Sequence, residues 1–494
     1  MAFAVFKLLK RHQNLAADVS PIKFDCRARH TANTRNLFSR ISPLGDPSLS
    51  VVPVLDQWVQ EGGKVNYFEL QRIVRDLRAR KRYRHALDVS EWMSSKGLCQ
   101  FLPGDHAVQL DLIGRVRGLD AAESCFSSLS DEDTSKSYGA LLNCYVREGL
   151  IDKSLSYMQK MKELGFATSL NYNDIMRLYI HTGQPEKIPD VLSEMKEEGV
   201  SPDNFSYRIC MSSYGMRSDI SSMEKVLEEM EREPHISMDW LTYALVANLY
   251  IKAGLHDKAL IYLEKSEEKV NKDALGYNHL ISLYASLGCK DDMMRLWSLE
   301  KTKCKKQINR DYITMLGSLV KLGELEETKK LLDEWELSCL SYDFRVPNIL
   351  LIGYCQKGLV EQAEDTLRDI VKKGKTPTPN SWAILAAGYV DKQKMQKAFE
   401  CMTEALNLRA RNTGWRPKPG VVSSVLSWIG DNGDIEQVEA FVSLMKTVIT
   451  VNREMYHALM KAYIRCGKEV EGLLHSMKED QIEADDEILS LRQK

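Results

Sequence analysis

SLNYNDIMRLYIHTGQPEKIPDVLSEMKEEGVSPD, residues Ser169 to Asp203, decides how this chain folds. Tyr172, Ile175, Met176 and Tyr179 recur at i, i+3, i+4 and i+7, which places four apolar side chains on one stripe of an α-helix. Gly183 stops that helix and permits a left-handed turn. A second amphipathic stretch runs to Met195, and Pro202 breaks the chain before the pattern starts again. The stretch is therefore a helix–turn–helix unit of 35 residues.

Working outward, the same unit recurs. Tyr138, Tyr172, Tyr207, Tyr243, Tyr277 and Tyr312 are spaced by 34, 35, 36, 34 and 35 residues. The series continues through Pro347, Trp382, Val422 and Tyr456 at spacings of 35, 35, 40 and 34. Eleven residues after most of these positions stands a glycine: Gly149, Gly183, Gly254, Gly288, Gly323, Gly358, Gly433 and Gly467. The glycine is missing from 204–239 and 379–418, which leaves those two turns the least defined. One such hairpin buries too little surface to stand alone, whereas stacked hairpins share a continuous core. The expected fold is all-α, a right-handed α-α superhelical solenoid of about ten to twelve units. The array spans 135–486, two degenerate capping copies lie within 46–134, and 487–494 form a tail.

The start of the chain differs. Residues 1–45 hold Lys7, Lys10, Arg11, Lys23, Arg27, Arg29, Arg35 and Arg40 against only Asp18 and Asp25, and no glutamate precedes Glu61. Phe3, Phe6 and Leu9 recur at helical spacing beside the first basic residues. An Arg-rich, acid-poor, amphipathic start is expected to be a disordered transit peptide. Prominent arginine without serine enrichment favours the mitochondrion over the chloroplast, with cleavage expected near Arg35–Arg40 and the following Ile41-Ser42. The whole chain carries 67 Lys and Arg against 69 Asp and Glu; without the leader's eight and two, a body of 59 basic and 67 acidic residues remains. An acidic body is not that of a non-specific nucleic-acid binder.

No run approaches 18 apolar residues, so no membrane span is expected. Eleven cysteines lack any C-x-x-C pair, which supports no zinc site; Cys210, Cys355 and Cys466 fall in helical patterns and are expected to be reduced and buried. Gly62-Gly63-Lys64-Val65 fails as a phosphate-binding loop, and no zinc-deaminase signature is present. No enzyme, cofactor, metal or small-molecule substrate is expected.

The period, the M-x-x-x-G unit endings (Met161–Gly165, Met195–Gly199) and the N-Y-N-D-I-M start resemble the pentatricopeptide repeat family, in its plant organellar members built of plain 35-residue units. Tetratricopeptide repeats fit less well, because they place small residues where Leu142, Met176, Met211 and Ile281 stand. The resemblance implies an organellar protein that binds single-stranded RNA in processing, stability or translation, one base per repeat read by two or three side chains. The alternative is a scaffold in a mitochondrial assembly such as the ribosome, without sequence-specific readout.

In the family's pattern the residue after the aromatic and the residue closing the unit meet a base, and an apolar side chain two residues before the aromatic wedges between bases. Carried over, this gives one clean pair, Asn173 with Asp203, which by family pattern favours uracil. The following units offer Arg208 with Asp239, Ala244 with Asp273, Asn278 with Ile308, Ile313 with Asp343, and Asn348 with Thr378. Wedge positions are apolar at Leu170, Phe205, Leu241 and Leu275, so base reading is expected within 169–308. Asp203 and its equivalents also precede helices, where an aspartate commonly caps free amides. Unit 379–418 is five residues over period, with Arg409, Arg411, Arg416 and Lys418 around Trp415 as a candidate phosphate-contacting loop.

Overall fold

The computed structural model describes residues 36–46, 49–97, 101–408 and 415–483. Among these every regular element is a helix. The chain forms two compact units, 1–266 and 267–494, whose boundary falls within the helix His256–Lys269.

In the first unit two short helices, Leu37–Ile41 and Val52–Gln60, precede a series of hairpins. Tyr67–Ala79 pairs with Tyr83–Lys96, Pro103–Val116 with Leu119–Ser127, and Asp131–Arg147 with Ile151–Glu163. Ser169–His181 then pairs with Ile188–Glu197, Asn204–Met216 with Ile220–Arg232, and Trp240–Lys252 with His256–Lys269. The second unit repeats the plan from Ala274–Leu287 with Lys290–Lys303 to Arg453–Arg465 with Glu471–Glu479. The all-α helical-repeat fold is the one expected from the period.

The aromatic that sets the register is a core residue. Tyr172, Tyr207, Tyr277 and Tyr456 are buried, and Tyr243 is half-buried. Burial of the ring buries its hydroxyl with it: Tyr207 donates to Glu229 of its unit's second helix at 2.8 Å, whereas the Tyr172 hydroxyl is left without a partner.

The left-handed turn survives where its glycine does not. Ser218 and Gln393 stand eleven residues after Tyr207 and Trp382, and they adopt φ of 59° and 56°, against 72° at Gly183. Those two turns are therefore ordinary turns carrying strained residues. Gly433 departs from expectation in the other direction, with φ −76° and ψ 153°. It is required there by space, since a Cβ would lie 2.6 Å from Ile429 Cγ1 and 2.8 Å from the Ile429 carbonyl oxygen.

The leader expected over 1–45 overlaps folded structure. Asn36 caps the helix Leu37–Ile41 by accepting from the Phe38 amide at 3.0 Å. Leu37 and Ile41 are buried in the core built by the first hairpin, Arg40 pairs with Glu61 at 2.6 Å, and Arg82 donates to the Ser42 carbonyl at 3.0 Å. The bounds 1–45 and the cleavage expected near Ile41 therefore fall across packed residues, since the apolar pair Leu37 and Ile41, one turn apart, lies in the core. Residues 1–35 and 484–494 lie outside the described residues. Cys210 is buried as expected and Cys355 partly so, whereas Cys466 is exposed at the end of its helix.

Candidate nucleic-acid interface

Each candidate reading residue sits in the first turns of a unit's first helix, and each closing residue but Asp343 sits at the N-cap of the next; the helix Pro347–Gln356 starts after Val346 instead. Asn173 is fully buried, and its Nδ2 donates to both carboxylate oxygens of Asp203 at 3.3 and 3.4 Å. Asp203 simultaneously caps the helix Asn204–Met216, accepting from the Phe205 and Ser206 amides at 2.9 and 2.8 Å. Capping and the contact with Asn173 thus use one carboxylate. The other end of the amide, Asn173 Oδ1, is buried without a partner.

Arg208 repeats the arrangement with a cation. Its Nη1 donates to Asp239 at 2.9 and 3.1 Å and lies 3.3 Å from Thr242 Oγ1, while its Nε is buried without a partner. Burial pushes the Asp239 carboxyl up, but the Arg208 charge and the Thr242 hydrogen bonds outweigh it and hold the group below the usual range. Ala244 offers no polar atom to Asp273, which only caps, accepting from the Leu275 amide at 2.9 Å.

Asn278 does not meet Ile308. Its Nδ2 faces Asp311 Oδ1 at 2.9 Å, the Ala274 carbonyl at 2.5 Å and Glu300 Oε1 at 3.3 Å, while its Oδ1 has no partner. Asp343 accepts from Asn309 and Arg345 and meets no polar group on Ile313. Asn348 is buried with Oδ1 unpartnered, and Thr378 lies 3.0 Å from Ser381 Oγ.

Reading the sequence alone missed Asp311, Thr242 and Glu300. The signal for Asp311 was present in its spacing: as the third residue of its helix it accepts from the Ile308 amide at 2.9 Å, which is one half of a capping box. Glu300 carried no local signal, because its burial depends on where the second helix packs. Burial, and then the charge of Asp311, push the Glu300 carboxyl up to about 8 against the opposing pull of Arg310.

The wedge positions are not uniform. Leu170 is 60% exposed and Leu275 half-buried, whereas Phe205 and Leu241 are 7% and 5% exposed. Packing a large apolar side chain into its neighbours contributes about 1.5–3 kcal/mol, which holds Phe205 and Leu241 in rather than out. In the long unit, Arg409 and Arg411 lie outside the described residues; Trp415 is half-buried, and Arg416 and Lys418 are exposed. Among the described residues no group of three or more His, Cys, Asp or Glu is gathered to hold a metal ion, and no helix is long and apolar enough to cross a membrane.

A sequence model of the PPR repeat matches residues 136–166, 205–235, 311–339 and 346–374, and one of the PPR repeat family matches 167–216. A mitochondrial pentatricopeptide repeat-containing protein of Arabidopsis thaliana is 51% identical over 92% of this chain and 94% of its own length. The chain belongs to the pentatricopeptide repeat family. A second mitochondrial family member from Arabidopsis is 38% identical over 82% of this chain and 83% of its own length. A third Arabidopsis relative, named as a large ribosomal subunit protein, is 32% identical over 91% of this chain and 92% of itself. The mitochondrial localisation expected from the basic leader is the one the first two relatives carry in their names.

Proposed function

We propose that this pentatricopeptide repeat protein binds single-stranded RNA in mitochondria and acts in the processing, stability or translation of a transcript, with Asn173 and Asp203 reading one uracil. The observation that supports this reading is a row of unsatisfied polar atoms at one position of the repeat. Asn173 Oδ1, Arg208 Nε, Asn278 Oδ1 and Asn348 Oδ1 are all buried and unpartnered, and all belong to the residue after the register position. Each such atom costs about 1–3 kcal/mol in an isolated fold. A base edge offering the complementary group would satisfy it. Leu170, Phe205, Leu241 and Leu275 line the helix starts beside these atoms, and Asp239 and Asp273 orient or cap. The leader precedes Asn36, the hairpins within 67–127 cap the array, and the later repeats carry the RNA. No catalytic step is assigned to the chain.

The test is selection of a randomised single-stranded RNA pool on the full chain and on Asn173→Ala. Asn173→Ala is expected to flatten preference at one nucleotide and to lower affinity for the selected RNA about tenfold to a hundredfold, as loss of one base-edge contact does. If both proteins enrich the same sequences, or neither enriches any, the reading is wrong. A second reading, a scaffold within the mitochondrial ribosome, draws on the acidic body and on the ribosomal relative. It requires co-sedimentation with ribosomes that survives high salt.

A further inference from the structure

Twenty-five residues after the register position, in the last turn of a unit's second helix, the repeat places Glu163, Glu197, Arg232, Glu268 and Lys372. In the 309–343 unit the same place holds Leu337, which is 92% exposed, and Leu340 three residues on is 90% exposed. Leu337 lies off the core stripe of the helix Leu325–Ser338, whose buried members are Thr328, Leu331, Leu332 and Trp335. The loop that carries Leu340 is nonetheless firmly seated. The Tyr342 ring packs edge-on against Trp335 with centroids 5.0 Å apart, and its hydroxyl donates to Glu336 at 2.6 Å. The loop is thus pinned on both sides of Leu340, and the two leucines are held out in solvent.

The helix ends on either side are basic. In the preceding unit the helix Lys290–Lys303 runs on into Lys305 and Lys306, and in the following unit Lys372, Lys373 and Lys375 stand at the end of the helix Val360–Lys372. These ends adjoin. Lys301 of the preceding unit reaches Glu334 at 3.2 Å, Lys373 of the following unit reaches Glu336 at 2.9 Å, and Lys375 Nζ stands 5.2 Å from the Tyr342 ring centroid. Lys372 holds Asp369 at 3.0 Å. Glu334, Glu336 and Asp369 are therefore each occupied by a lysine. Against exposed Asp333, one turn before Leu337, stand four exposed lysines with no carboxylate at ion-pair distance among the described residues: Lys303, Lys305, Lys306 and Lys375.

We infer that this edge is a peripheral membrane contact whose partner is a bilayer bearing anionic phospholipid: Leu337 and Leu340 enter the boundary between headgroups and acyl chains, and the four lysines lie against the lipid phosphates. The pairing of the two chemistries decides the partner. Exposed leucine gains only from apolar surroundings, and binding at a bilayer surface scales with buried apolar area plus attraction to anionic lipid. A nucleic-acid strand would draw the lysines and leave both leucines in water. A lipid surface takes both, since lysine stems lie along it while their ammonium groups stay wet. A contact made by two apolar side chains and a basic rim is superficial and reversible. It goes beyond RNA binding and does not depend on it.

The test is sedimentation of the full chain with vesicles of phosphatidylcholine alone and of equal parts phosphatidylcholine and phosphatidylglycerol. Every protein carries Phe3→Ser, Phe6→Ser and Leu9→Ser, which remove the apolar side of the basic leader and with it a competing route to the bilayer. One variant adds Leu337→Ser with Leu340→Ser, and another adds Lys303→Ser, Lys305→Ser and Lys306→Ser. Thermal denaturation establishes that both fold, as substitutions at exposed sites allow; should the leucine pair not fold, Leu340→Ser alone replaces it. The expected result is salt-sensitive binding to the mixed vesicles, stronger than to phosphatidylcholine alone. That binding is expected to fall about tenfold or more in the leucine variant and about tenfold to a hundredfold in the lysine variant. Affinity for single-stranded RNA is expected to be unchanged in the leucine variant. Absence of binding to the mixed vesicles, equal binding to both kinds of vesicle, or binding that the leucine variant retains in full overturns the proposal. So does a lysine variant that loses RNA affinity while keeping its vesicle binding, since those lysines would then serve RNA.

Discussion

Replacing Glu300 by glutamine tests the packing of the second unit at a buried, half-partnered carboxyl. The Glu300 side chain is fully buried, its Oε1 meets Asn278 Nδ2 at 3.3 Å, and its Oε2 has no partner. Burial and Asp311 raise its titration from 4.5 to about 8. The folded protein therefore keeps a proton that the unfolded chain has released between those two values. Below pH 4.5 both states are protonated and the group costs nothing. As the pH rises towards 8 the stability falls, and above 8 the full cost applies because the buried carboxyl ionises. At about 1.4 kcal/mol per pH interval, that cost reaches roughly 3 kcal/mol at pH 7 and at most about 5 kcal/mol above pH 8. Glu300→Gln keeps the shape and removes the charge. The variant is expected to be more stable by a few kcal/mol at pH 8 to 9 and nearly equal to wild type at pH 4.5. Urea denaturation of both proteins across that range measures it. Parallel pH profiles, or a variant weaker than wild type at pH 9, would refute the electrostatic account.

Three further outcomes follow from the geometry. Ser218→Gly and Gln393→Gly relieve left-handed backbone at non-glycine residues and are expected to stabilise by about 0.5–1 kcal/mol each, whereas Gly183→Ala, which meets open space, loses about 1 kcal/mol through its backbone alone; unchanged melting temperatures would discount the strain. Leu170→Ala, at an exposed site, is expected to spare stability to within about 0.5 kcal/mol while weakening RNA binding by roughly 1–3 kcal/mol, whereas Phe205→Ala removes a buried ring and costs about 3–5 kcal/mol of fold stability. Equal stability loss in both variants would show that Leu170 packs rather than wedges. A reporter fused to residues 1–60 is expected in mitochondria, and the mature N-terminus of the imported chain at or before Asn36, since a cut beside Ile41 would strip Leu37 from the core. Cytosolic fluorescence, or a mature chain starting at Ile41 or beyond, would sink that account.

The sequence by itself determined the repeat, the pairing of helices and the identity of the core. These follow from short-range geometry: 3.6 residues per turn aligns Tyr172, Ile175, Met176 and Tyr179, and Gly183 ends the stripe where the chain must reverse. The Asn173–Asp203 contact was also legible, because both residues occupy fixed places in a repeat of known period. What only the tertiary structure decided lies between helices. Asn278 found Asp311 instead of Ile308, and Glu300 became buried beside them, because three helices converge there. Phe205 and Leu241 turned inward while Leu170 stayed out, since neighbouring helix surfaces differ. Leu37 and Ile41 joined the first hairpins although their surroundings read as leader. A period along the chain specifies which face a residue lies on. It does not specify which carboxylate, thirty-odd residues away, meets that face across a packed interface.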